Sequence, residues 1–181
     1  MPTRPWCPIP PTINFHDGTF YVLNTCVDCG GNYLVTATNP AGPWSNPTWI
    51  PEVGGIDPSI FFDDDGKTYV INNDEPIGGS TYQGHRAIWI REFDVATKKV
   101  KGQATQIINA GVDITQKPIW IEGPHIYKIN GKYYLSCAEG GTAVDHRQVV
   151  FKADNVLGPY TPAPAPINPI LTQRHLDPKR P

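Results

Sequence analysis

Apolar residues in this chain come in short bursts rich in aromatic and β-branched side chains. No stretch sustains the 3.6-residue rhythm of an amphipathic helix. Runs such as Thr19-Phe20-Tyr21-Val22-Leu23 and Thr68-Tyr69-Val70-Ile71 read as strands, since such side chains fit a pleated, half-buried surface. The pattern predicts an all-β fold.

The bursts are organised by an internal repeat. Three segments share one plan: a Pro, an Ile two places later, an aromatic residue, a Gly turn, then an aromatic strand. They begin at Pro11, Pro58 and Pro124 and carry Asp17-Gly18, Asp65-Gly66 and Asn130-Gly131. Such dipeptides between strand-like runs are the strongest short-range hairpin signal, because both turn residues must accept φ > 0. Gly42-Pro43-Trp44 follows the first hairpin and Gly158-Pro159-Tyr160 the third, while the middle unit continues with Arg91-Glu92-Phe93-Asp94 and a turn at Thr97-Lys98-Lys99. The three Pro positions lie 47 and 66 residues apart, room for a four-stranded sheet each. A repeated inner hairpin at irregular spacing predicts propeller blades with inserted loops, over residues 11–56, 57–121 and 122–181. The alternative is a sandwich whose hairpins are similar by coincidence.

Composition sharpens this picture. Gly (17) and Pro (20) make up 37 of 181 residues, which favours many short elements joined by turns. A net charge of -2, from 15 basic and 17 acidic residues, suggests no nucleic-acid partner. No apolar run approaches the roughly 20 residues of a membrane helix. The opening Met1-Pro2-Thr3-Arg4-Pro5 lacks the apolar core of a signal peptide, which leaves secreted, periplasmic and cytoplasmic locations open. Cys26-Val27-Asp28-Cys29 has no second pair to complete a zinc site and no thioredoxin-like surroundings, so its cysteines, with Cys7 and Cys137, are expected to be ordinary thiols near a loop.

In a propeller the first strand of each blade lines the central channel, so equivalent positions converge at one end of it. Asp57 immediately precedes the Pro of the second unit, and Glu122 lies two places before the Pro of the third. Two carboxylates there suit paired acid chemistry: glycoside hydrolysis needs a protonated acid to serve the leaving oxygen and an ionised carboxylate across the sugar. A neighbouring carboxylate raises the acid's pKa, and Trp120, Ile121 and Gly123 around Glu122 favour its neutral form. Asp63-Asp64-Asp65-Gly66 lacks the spacing and distal Glu of an EF-hand loop and reads as a solvated turn. The five His residues show no zinc-hydrolase spacing, and there is no nucleophile elbow, P-loop or dinucleotide fingerprint.

These residues resemble glycoside hydrolase family 43, whose β-xylosidases and α-L-arabinofuranosidases are five-bladed propellers that hydrolyse with inversion. Gly55-Ile56-Asp57-Pro58-Ser59 through Gly66 is similar to the segment whose Asp raises the acid's pKa and orients it. Ile121-Glu122-Gly123-Pro124-His125-Ile126-Tyr127-Lys128 is similar to the segment bearing the general acid. Ala138-Glu139-Gly140-Gly141-Thr142 with His146 resembles a segment near the active site, so Glu139, Thr142 and His146 are implied as substrate-binding; Asn168-Pro169-Ile170-Leu171-Thr172-Gln173-Arg174 resembles a loop after the acid blade. The resemblance implies an oligosaccharide substrate of the xyloside or arabinofuranoside kind and no required cofactor, with room for a structural calcium ion in a complete propeller.

The chain also departs from the family pattern. The family's general base is an Asp of an Asp-Pro motif in the first blade, yet the equivalent place holds Pro10 and Pro11, and the remaining Asp177-Pro178 lies at the far end. Where members usually read Trp-Ala-Pro-Thr this chain has Ile9-Pro10-Pro11-Thr12, with Trp6 out of register, and the first ten residues look unlike the family. A later Gly-His-Ala stretch is also absent. The expectation is therefore a partial five-bladed β-propeller of about three blades, truncated at both ends, with an acid and no base. Such a chain would be inactive alone and prone to self-association, or to joining a complementing chain, through open sheet edges. The alternatives are a non-catalytic carbohydrate-binding fragment and a β-fructosidase-like propeller.

Overall fold

The computed structural model describes residues 10–175, and Cys7, Trp6 and Asp177-Pro178 lie outside them. Three antiparallel sheets follow one another along the chain. The first joins β1 (Thr12–His16), β2 (Thr19–Cys26), β3 (Gly31–Ala37) and β4 (Thr48–Trp49) in that order. The second joins β5 (Ile56–Phe62), β6 (Thr68–Asp74), β7 (Ala87–Asp94) and β8 (Lys99–Asn109). The third joins β9 (Glu122–Ile129), β10 (Lys132–Glu139), β11 (Arg147–Ala153) and β12 (Thr161–Pro162), with β13 (Leu171–Thr172) also paired to β11. The helical content of the described residues is a single 3-10 turn, Ile114–Gln116, so the all-β expectation holds and each sheet is an up-and-down blade.

The three sequence repeats are the inner hairpins of these blades. At Asp17-Gly18 and Asn130-Gly131 both turn residues are left-handed, with φ of 46° and 74° and of 50° and 73°, and each closes a two-residue turn. The middle hairpin differs from expectation. Five residues separate Phe62 from its partner Thr68, and in this longer turn Gly66 (φ 83°), not Asp65, takes the left-handed position.

Asp63 is also not solvated. Its side chain is buried, accepting from Lys128 Nζ at 2.6 Å and Tyr133 Oη at 2.7 Å, so it clamps the second blade to the third. Burial pushes its carboxyl up, but these donors outweigh that and hold it below the usual range. The exposed part of the turn is Asp64, Asp65, Gly66 and Lys67.

The blades stack face to face about two cores. Tyr21, Leu23, Leu34, Ile50 and Val53 of the first blade meet Ile60, Val70 and Phe93 of the second. The other face of the second blade, with Phe61, Ile71, Ile88 and Ile90, packs on Ile126, Leu135, Val149 and Phe151 of the third. In the second blade, alternation along the strands sends apolar side chains to both cores, as with Ile60 and Phe61 or Val70 and Ile71. The inner strands are further tied by hydroxyls: the residue after each of the first two repeat Pro residues reaches the next blade, Thr12 Oγ1 donating to the Pro58 carbonyl at 2.9 Å and Ser59 Oγ to the Pro124 carbonyl at 2.5 Å.

Cys26 and Cys29 form a disulfide across the β2–β3 turn, which corrects the expectation of free thiols. Spacing alone missed it because a hairpin turn brings the two Cα atoms to 5.3 Å, within bonding reach. Cys137 is free and buried, and burial pushes its thiol well up.

Candidate active site

Asp57 and Glu122 stand at matching heads of β5 and β9 because the two inner strands are neighbours in the stack. The ladder between β5 and β6 shifts register between Ile56 and Ser59, and Asp57 has a φ of 56°. Lifted out of the pleat, its carboxylate crosses to the next blade, where Oδ2 accepts from the Gly123 backbone N–H at 3.1 Å. Glu122 is therefore flanked by a peptide unit that Asp57 holds.

Both carboxyls are half-buried and both have raised pKa values. For Glu122 the main cause is burial, followed by the charge of Asp57, with Arg86 and His146 opposing. For Asp57 burial again leads, offset by the Gly123 N–H and by His125. His125 is itself pushed down by burial against the pull of Asp57, which favours a neutral imidazole.

Trp120 stands two residues before Glu122. It is a non-glycine residue with φ 54°, and its N–H donates to the Gly84 carbonyl at 2.8 Å. Its indole lies between Gly84 and Gly141: a Cβ on Gly141 would come within 2.9 Å of Trp120 Cδ1. The Arg86 guanidinium sits 5.6 Å from the ring centroid and pairs with Glu75 on the β6–β7 loop. Arg86 and His125 were not among the residues singled out from the sequence. His125 carried a signal, since it holds the same repeat position as Thr12 and Ser59. Arg86 carried none, because a loop of the irregular middle unit brings it in.

The other expected residues are arranged differently. His146 is close enough to act on Glu122, and its Nδ1 lies 2.6 Å from the Gly141 carbonyl oxygen. Thr142 is exposed on the β10–β11 loop. Glu139 is fully buried: one oxygen is held by Arg147 (Nε at 2.7 Å), and the other accepts from Val112 N–H at 2.9 Å. Its carboxylate thus joins β10, β11 and the 111–113 segment. This ion pair forms the floor of a separate cleft of about 520 Å³, lined by Ile119, Gly140, Asp145 and Arg174 among others. Among the described residues no three His, Cys, Asp or Glu side chains gather as metal ligands.

The family model for glycosyl hydrolases family 43 matches residues 4–181. The chain belongs to that family. The match begins at residue 4, which corrects the expectation that the first ten residues fall outside the pattern. A protein of Butyrivibrio fibrisolvens described as a xylosidase/arabinosidase is 42% identical over 168 residues, covering 92% of this chain and 32% of the relative. A non-reducing end alpha-L-arabinofuranosidase of Bacteroides ovatus is 38% identical over 165 residues, covering 90% and 28%. Among solved structures, a GH43_12 protein retrieved from capybara gut metagenome superposes with a TM-score of 0.87 at 49% identity, covering 93% of this chain and 32% of that one. The xylan beta-1,4-xylosidase of Bacillus halodurans C-125 gives 0.75 at 35% identity, covering 90% and 31%. This family 43 chain thus spans about a third of the length of these relatives, as three blades of a propeller.

Proposed function

We propose that this chain carries the acid-delivering half of a hydrolase for pentose glycosides, β-xylosides or α-L-arabinofuranosides, working by inversion. Glu122 is the general acid, giving its proton to the glycosidic oxygen as the bond to the anomeric carbon breaks. Asp57 keeps that acid protonated through charge repulsion and fixes its place through Gly123. Trp120 offers an apolar wall, and Arg86 and His146 temper the raised pKa so that proton release stays accessible. One observation carries the reading: the Asp57 carboxylate bonds to the peptide unit next to Glu122 and contributes to raising its pKa. A pure sugar-binding face gains nothing from such a pair, because two half-buried carboxyls of like charge oppose each other's ionisation.

Water activation is assigned to no residue of the chain. The head of β1 offers no carboxylate, since Pro10 and Pro11 hold that position, so we propose that turnover requires a base from outside these residues. Relatives described as xylosidases and arabinosidases support the substrate class and leave both pentoses in play.

The test is a carbon-13 titration of the Glu122 side chain. Its midpoint should lie above that of an ordinary glutamate and fall in Asp57→Asn. An unshifted Glu122, or one indifferent to Asp57→Asn, refutes the assignment.

A further inference from the structure

The interface between the first two blades holds a cluster of buried polar side chains within its apolar core. Thr25, Asn32, Asn72 and Arg91 are buried there, with Asn32 1% and Asn72 0% exposed, amid Leu23, Leu34, Ile50 and Val70. Their hydrogen bonds have a common destination. Asn32 Nδ2 donates to the carbonyls of Val53 at 2.8 Å and Gly54 at 2.9 Å, while its Oδ1 accepts from Thr25 Oγ1 at 2.6 Å. From the second blade, Asn72 Nδ2 donates to the same Gly54 carbonyl at 2.8 Å and to the Asn73 carbonyl at 3.0 Å, and Arg91 Nη1 donates to Asn72 Oδ1 at 2.5 Å. Two amides on different sheets thus grip one carbonyl oxygen, three residues before Asp57.

The segment they hold needs holding. Gly55 has φ 60° and presses on the Asn73 carbonyl so closely that a Cβ there would overlap it. The ladder lapses between Ile56 and Ser59, so regular sheet bonding does not locate Asp57, whose own backbone is left-handed. Beyond it, Ser59 anchors the strand to the Pro124 carbonyl. Burying four polar side chains between apolar sheets adds nothing to cohesion that apolar residues of similar volume would not supply. All of their donors to backbone end on the carbonyls of Val53, Gly54, Gly55 or Asn73, the strained entry to Asp57 and the strand it leans on.

We propose that Asn32 and Asn72, the latter oriented by Arg91, are positioning residues that hold Asp57 against the Gly123 peptide beside Glu122. The inference rests on the reading of Glu122 and Asp57 given above. A residue far from sugar, between two other blades, then sets the proton affinity of the acid.

The experiment is the same titration of Glu122 in the full 181-residue chain with carbon-13 glutamate, its signal assigned by loss in Glu122→Gln. In Asn72→Ala the midpoint should fall in the same sense as in Asp57→Asn, by less, and by roughly twofold or more in proton affinity. Val70→Ala, a neighbour in the same core, controls for loosened packing: it should lower Tm and leave the Glu122 midpoint in place. An unchanged midpoint in folded Asn72→Ala, or an equal shift in Val70→Ala, overturns the proposal. If Asn72→Ala does not fold, Asn72→Ser keeps a donor on a smaller side chain and should shift the midpoint in the same sense. No shift there is again fatal. The two readings fail separately: an Asp57→Asn chain with an unmoved Glu122 sinks the assignment of Asp57, whereas a response to Asp57→Asn alone sinks only the positioning role.

Discussion

Glu122 keeps a proton to higher pH than a free glutamate because burial and Asp57 both disfavour its charge. The same fact has a stability consequence. A carboxyl with a raised folded-state pKa binds more protons in the native than in the unfolded chain, so stability falls as pH rises between the two values. Glu122→Gln, which never ionises, should therefore raise Tm relative to wild type at pH 7, with the gain fading as pH falls towards the ordinary glutamate value and gone below it. Thermal melts across pH 3–8 would check it, and equal Tm differences throughout would contradict the raised pKa. At this scale the sequence was informative about Asp57 and Glu122, because both occupy a marked place in the repeat. It was misleading about Asp63, whose spacing looked like surface. Whether a carboxylate meets sugar, water or an arginine depends on cross-strand neighbours such as Arg147 and Lys128, which no local pattern names.

Among elements, the inner strands carry most of the organisation. The hydroxyls of Thr12 and Ser59 make equivalent bonds to the next blade, but the one from Ser59 is buried and the one from Thr12 is only partly so. Ser59→Ala should cost about 1–2 kcal/mol, since it leaves the Pro124 carbonyl without this donor in a site water cannot easily reach, and Thr12→Ala less. Urea melts of the two variants would read the difference. At the other end of the first blade, the Cys26–Cys29 disulfide closes a loop of four residues. Loop-closure entropy for so short a ring is worth about 2 kcal/mol at most. A reductant should thus lower Tm modestly without unfolding the chain, seen by near-ultraviolet circular dichroism with and without thiol. Strand positions and two of the three turns were legible because side-chain alternation and Asp-Gly or Asn-Gly are local signals. The third turn was not, since loop length depends on where pairing stops.

For the whole molecule, three stacked blades place Glu122 and Asp57 at one end of the inner strands, while Pro10 and Pro11 precede β1. The purified chain should release no aglycone from aryl β-xylosides or α-L-arabinofuranosides beyond a Glu122→Ala control. Turnover abolished by that substitution would show that the base lies within these residues after all. The inner strands also expose Ile13, Phe15, Tyr127 and Ile129, an apolar face that favours association as concentration rises. Sedimentation velocity at increasing concentration should reveal it, and a constant monomer would count against it. By itself the sequence determined the all-β class, the repeat and the two carboxylates at its head, because these follow from periodicity and chain order. Tertiary structure alone decided that Asp57 reaches across to Gly123, that Arg86 and Trp120 meet, and that Asn32 and Asn72 converge on Gly54. Those contacts join residues 18 to 66 positions apart, and only strand pairing together with the stacking of one blade on the next brings them within reach.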